Sequence, residues 1–142
     1  MDDPFDLNRF LDAQQEIYPI ALQEIRAGRK QSHWMWFIFP QIDGLGSSPS
    51  ARHYAVKSRN EAEAYLRHPV LGARLLECAE AVLSVTGRSV REIFGSPDDL
   101  KLRSSATLFA AVAPKGSVFE RLLERYFDGQ PDRRTLDRLV AG

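Results

Sequence analysis

The chain is short of the residues that do conspicuous chemistry. It holds one cysteine, Cys78, so no intrachain disulfide can form. Its three histidines, His33, His53 and His68, are scattered without metal-ligand spacing, so no metal site is expected. Charge of neither sign is in excess, because 19 Lys and Arg balance 19 Asp and Glu. A general nucleic-acid binder normally carries a basic surplus, so that class ranks last and no nucleic-acid partner is expected. The longest apolar run, Trp34–Phe39, is six residues, far below the roughly 20 that span a bilayer, and no membrane partner is expected. The start, MDDPFDLNRF, is acidic and lacks a basic lead with an apolar stretch behind it, which points to a cytoplasmic protein. No glycine-rich phosphate loop with a following Lys-Ser/Thr is present, no serine elbow, and nothing that implies a cofactor.

What remains is a core-forming composition. Hydrophobic residues make up 44% and charged ones 27% of 142 residues, which excludes a disordered chain and suits one domain, residues 1–142. Apolar positions recur at helical spacing nearly everywhere, and no segment combines two-residue alternation with hairpin turns. The expected fold is therefore all-α, a compact bundle of several helices with a Gly/Ser-rich loop near 42–50.

Start and stop signals place the helices. Asp6 is expected to cap the first, which Gly28 ends, with a break or kink near Pro19. Ser58-Arg-Asn-Glu61, Ser89-Val-Arg-Glu92 and Ser117-Val-Phe-Glu120 each match a capping box. Pro49, Pro69 and Pro97 each suit a first helical position, which needs no N–H donor. The spacing predicts helices over 7–27, 33–39, 49–57, 59–67, 69–86, 90–94, 97–112, 118–128 and 133–140.

Two stretches carry polar groups that a core does not require. The first is RKQSHWMWFIFPQIDGLG, residues 29–46. Burial of each large aromatic in its middle contributes roughly 1.5–3 kcal/mol, so Trp34–Phe39 is explained as core, whether as a helix capped by Ser32 or as a buried strand. Lys30, Ser32 and His33 before it, and Gln41 after it, are not so explained. The second stretch is SPDDLKLRSSATLF, residues 96–109. On a helix, Asp98, Lys101 and Ser105 share a face, and RSSAT puts three hydroxyls among mediocre helix formers. Close helix packing is one reading of those hydroxyls. The other is a phosphate or carboxylate pocket lined with Lys101 and Arg103.

The strings GRKQSHWMWFIFPQIDGLGSSPSARHYAVKS, EAEAYLRHPVLGARLLEC, IFGSPDDLKLRSSATLF and YFDGQPDRRTL together resemble the bacterial family catalogued as domain of unknown function 1810. The resemblance covers about residues 7–139 and implies a mainly α-helical fold. Residues recurrent in that family match Lys30, Ser32, His33, Trp34, Trp36, Gln41, Asp98, Lys101, Ser104 and Thr107 among others, while Ala106 stands where Met is more usual. Some members carry the label calpastatin. Calpastatin is a disordered inhibitor, and this core-forming composition is not that of such a chain.

The resulting expectation is a binder or processor of a small anionic metabolite, a nucleotide or ADP-ribose-like compound. Lys30 and Lys101 would neutralise the anion, Trp34 or Trp36 would stack on a ring, and His33 or Asp98 would be the acid–base group. Ser32, Gln41, Ser104 and Thr107 complete the expected ligand-binding set. The alternative is a non-enzymatic interaction module that docks a protein through a partly exposed aromatic run 34–39. The pattern leaves the oligomeric state open. The anion reading requires the two stretches to converge on one cleft.

Overall fold

The computed structural model describes residues 2–141. Among them are nine helices and no strand. They are α1 (Asn8–Arg26), α2 (Met35–Ile38), α3 (Pro49–His53), α4 (Arg59–Arg67), α5 (Leu71–Ser84), α6 (Val90–Phe94), α7 (Asp98–Ala110), α8 (Val118–Phe127) and α9 (Arg133–Ala141). The fold is all-α, and the helix count and order match the periodicity. None of these helices is long and apolar enough to cross a membrane.

The serine signals work as local chemistry requires. Ser58, Ser89 and Ser117 each accept the backbone N–H of the glutamate three residues on, at 3.1, 3.1 and 3.4 Å. Only Glu92 closes a full capping box, by accepting Ser89 N–H at 2.8 Å. Glu120 takes Gly116 N–H instead, and Glu61 turns inward to Lys57 N–H and to Arg9.

Four local expectations are corrected. Asp6 does not cap α1: it lies at φ 52°, and Asp3 accepts the N–H groups of Leu7 and Asn8 at 2.8 and 3.0 Å. Pro19 does not break α1, which runs unbroken through it. Pro19 and Gln15 are both exposed, so water can take the Gln15 carbonyl that the missing N–H leaves free. Pro69 does not open α5: His68 Nδ1 accepts the N–H groups of Val70 and Leu71, and the helix begins at Leu71. Ser32 does not cap α2, because its hydroxyl donates to Glu24 at 2.6 Å.

The run 34–39 centres on one helical turn, Met35–Ile38, and four of its six side chains are core. Trp34 is fully buried, and Met35, Ile38 and Phe39 are no more than 2% exposed. Trp34 and Phe39 meet Phe94 edge-on at 6.2 and 6.0 Å between centroids, the geometry that ring quadrupoles favour. Trp36 and Phe37 are half-buried, so two rings of the run stay partly open to solvent.

Helix α7 is the central element, buried at Leu102 and from Ser104 to Phe109 and packed on α4, α6, α8 and α9. Beside it, the segment after the aromatic turn loops out and returns. Asp43 N–H donates to Val56 and Val56 N–H to Gln41, both at 2.8 Å, closing the loop at its base. Helix α9 crosses that loop, with Arg134 on the Leu45 carbonyl and Arg138 on the Gly44 carbonyl.

Candidate functional site

Helix α1 ends at Gly28 in a left-handed turn, with Gly28 N–H on Ile25 and Arg29 N–H on Glu24. Glycine at φ 74° has no Cβ penalty there. The chain then folds over Glu24. One carboxylate oxygen accepts Gln31 N–H, Ser32 N–H and Trp34 Nε1–H at 2.8, 2.9 and 2.9 Å, and the other accepts the Ser32 hydroxyl. Burial alone would raise this carboxyl, but the bonds from Ser32, Gln31 and Trp34 outweigh it and hold it down at about 2. Glu24 is thus the fixed point that seats the aromatic turn.

From this seat Lys30 reaches α7. Its Nζ lies 2.8 Å from Asp98, donates to the Ser32 carbonyl at 2.6 Å, and sits 4.9 Å from the Trp34 ring centroid. The other Asp98 oxygen pairs with Lys101 at 3.3 Å, and Lys101 in turn sits 5.0 Å from the Trp36 ring centroid. So the two polar stretches meet, through one carboxylate between two ammonium groups.

Their roles differ from the expected ones. Lys30 is 8% exposed and satisfied by protein groups, so no anion can reach it without rearrangement. Trp34 is fully buried and cannot stack on a ligand. Ser32 is spent on Glu24. Thr107 is 2% exposed, donates to the Arg103 carbonyl and accepts Asp132 N–H, both at 2.8 Å, which ties α9 to α7. His33 is exposed and borders none of the cavities around this site. Asp98 holds both lysines in place.

Lys101, Ser104 and Gln41 do share a cavity. It is a cleft of about 460 Å³ between α7, the 41–51 loop and the start of α9. Pro97, Leu100, Leu45 and Ala51 give it an apolar side. Lys101, Arg103 and Arg134 give it a cationic side, with Asp132 among them. The Ser104 hydroxyl donates to the Leu100 carbonyl at 3.2 Å, which leaves its oxygen as an acceptor. Trp36 borders a slot next to the cleft that also touches Gln41, Leu45 and Gly46. At about 20 Å³ the slot holds roughly one water, and the Trp36 ring carries the Lys101 ammonium 5.0 Å from its centroid.

Lys101 and Arg134 are less committed than Arg9, Arg121 and Arg125, which border other hollows. Hollows of about 510 Å³ around Arg9 and about 470 Å³ around Arg121 and Arg125 are as large. Arg9 is used up on four backbone carbonyls and Glu61, Arg121 on Glu80, and Arg125 on the Leu83 and Val85 carbonyls. In the cleft Arg103 is likewise held by the Gln130 and Pro131 carbonyls. Arg134, however, makes one long contact, 3.3 Å to the Leu45 carbonyl, and Lys101 shares a carboxylate with Lys30. Arg134 and Asp132 were not among the sequence candidates, although PDRRTL lies within the strings that carry the family resemblance.

No cluster of three His, Cys, Asp or Glu side chains among the described residues has the arrangement to hold a metal ion. Cys78 is buried, and burial pushes its thiol up to about 12, so it is unreactive at neutral pH.

Comparison with known proteins agrees with this architecture. Residues 4–139 match the model of a family described as "Protein of unknown function (DUF1810)". The chain is 55% identical to the conserved hypothetical protein Rv1873 from Mycobacterium tuberculosis, known from a crystal structure. The match covers 97% of this chain and 99% of that one, with a TM-score of 0.95. No curated protein matches.

Proposed function

We propose that this chain, which belongs to the DUF1810 family, binds a small anionic metabolite in the cleft between α7, the 41–51 loop and α9. The observation that supports it is the convergence of Lys101 and Arg134 on a cavity whose other side is apolar. A volume of about 460 Å³ lies within the roughly 300–1,000 Å³ common for small-molecule sites. Lys101 and Arg134 take the phosphate or carboxylate, as charge-assisted hydrogen bonds are among the stronger ones available. Leu45 and Leu100 cover the apolar or planar part. Gln41 and Ser104 supply orienting polar contacts. A nucleotide-sized ligand fits this division, with its ring on the leucines rather than on Trp36.

The reading is one of binding. His33 lies outside the cleft wall, and both Asp98 oxygens face ammonium groups. Neither is placed to move a proton for a ligand held at Lys101.

Thermal-shift screening with nucleotides and phosphorylated or carboxylated metabolites tests this. A true ligand at 100 times its Kd stabilises by about 2.7 kcal/mol. The double variant Lys101→Ala/Arg134→Ala should lose that stabilisation while keeping its own fold, since both residues lie at the surface of the cleft. A panel without any stabilising compound, or a ligand shift that survives in the double variant, overturns the proposal.

A further inference from the structure

On the opposite side of the 42–46 loop lies a second cavity, about 240 Å³, that the cleft reading does not use. We propose that it is a separate site for a compact oxyanion of the phosphate class.

Three cations border it: Lys57 just before α4, Arg59 at the start of α4, and Arg138 on α9. One carboxylate, Asp43, faces them. The wall therefore carries a net charge of about +2, which matches a phosphate monoester or inorganic phosphate at about −1.5 to −2 near pH 7. The volume is below the range usual for drug-sized ligands and suits one oxyanion with its waters.

These cations are held near the cavity without being saturated. Lys57 donates to the Arg52 carbonyl at 3.1 Å and is 3.5 Å from Asp43, a long pair with both side chains about half exposed, which leaves one of its three donors over. Arg59 makes one hydrogen bond, to the Ala111 carbonyl at 3.0 Å, which leaves donors over on a five-donor group. Among the described residues Arg138 makes one hydrogen bond, 3.4 Å to the Gly44 carbonyl.

Gly44 explains how Arg138 is placed. It sits at φ 96°, and a Cβ built there would fall 2.5 Å from the Arg138 guanidinium carbon. Any side chain at position 44 would push the guanidinium off the cavity wall. Glycine leaves room for the Arg138 guanidinium against the loop backbone, beside the cavity that Lys57 and Arg59 also line. The same loop that borders the first cleft thus shapes a second, independent anion seat.

The test is titration of the full chain with inorganic phosphate, with chloride at matched ionic strength as the control. Amide NMR shifts of Gly44 and Ser58 and calorimetry are the readouts. Saturable shifts at those amides with phosphate and not chloride are expected. Arg138→Gln should weaken binding by about tenfold or more, the usual size of a lost hydrogen bond to a charged group. Asp43→Asn should tighten it, because the competing carboxylate is gone. Lys101→Ala should leave it unchanged, which separates this site from the cleft. Were Arg138→Gln to unfold, Lys57→Gln carries the same expectation. Shifts that grow without saturation, equal shifts with chloride, or binding indifferent to these replacements would refute the site.

Discussion

Removing the Glu24 carboxylate tests how the aromatic turn is held. Glu24 accepts four hydrogen bonds from Gln31, Ser32 and Trp34. Glu24→Ala leaves the indole N–H of a fully buried Trp34 without its partner. That alone costs about 1–3 kcal/mol, and two backbone N–H groups lose their acceptor with it. A total of about 3 kcal/mol is expected, or on the order of 10 °C in Tm for a chain of this length. Glu24→Gln keeps one oxygen for the three N–H donors and offers an N–H to the Ser32 hydroxyl, which can rotate to accept it. Its cost should be nearer 1 kcal/mol, the loss of charge assistance. The pH dependence adds a second signature. The folded carboxyl is held at about 2, below its ordinary 4.5. Its stabilisation is therefore fully present above about pH 4.5 and is lost as the pH falls through about 2. Glu24→Gln should lack that component of the acid limb. Urea unfolding followed by circular dichroism at pH 7 and through the acid range measures both. An alanine variant within 0.5 kcal/mol of wild type, or a glutamine variant as unstable as alanine, would refute the account.

Other replacements probe different parts of the frame. Gly72→Ala would put a Cβ 2.0 Å from the Leu66 carbonyl oxygen, which is backbone and cannot yield cheaply. It should cost about 3 kcal/mol or more in urea unfolding. Thr107→Val keeps the shape but strands Asp132 N–H, so about 1–2 kcal/mol is expected, with amide exchange accelerating first in α9. Glu61→Ala breaks a pair whose side chains are 7% and 2% exposed. Such losses run to about 3–5 kcal/mol, and the carbonyl bonds that Arg9 keeps should place this one at the lower end, as read from thermal unfolding.

The helices were legible because their signals are local. A serine three residues before a glutamate makes its hydrogen bond whatever the rest of the chain does, and Ser58, Ser89 and Ser117 all made it. Expectations failed where the partner lay outside the local window or where solvent decided. Asp3 rather than Asp6 caps α1 because a left-handed residue turns the chain back on itself. Pro19 is tolerated because its side of α1 is wet. The site was legible only as a meeting of two stretches. Trp34 and Trp36 are two positions apart and alike in composition, yet packing buries the first and leaves the second at a slot. Arg134 meets Leu45 across 89 positions of sequence, so no spacing rule could have paired them.

The two lysine–tryptophan pairs show why one carboxylate matters to the cleft. Lys30 with Trp34 and Lys101 with Trp36 are built alike, and Asp98 joins them. The first pair is sealed, so its charge must be cancelled inside the protein, and the 2.8 Å contact to Asp98 does this. The second contact is longer, 3.3 Å, and its lysine is 26% exposed. Asp98 is therefore committed mainly to Lys30, and Lys101 keeps charge to offer outward while the indole limits where it can swing. Two cations against one carboxylate leave a net positive charge at the rim. An anion from solution would complete that arrangement, and the burial of Lys30 is what keeps the positive charge of Lys101 uncancelled.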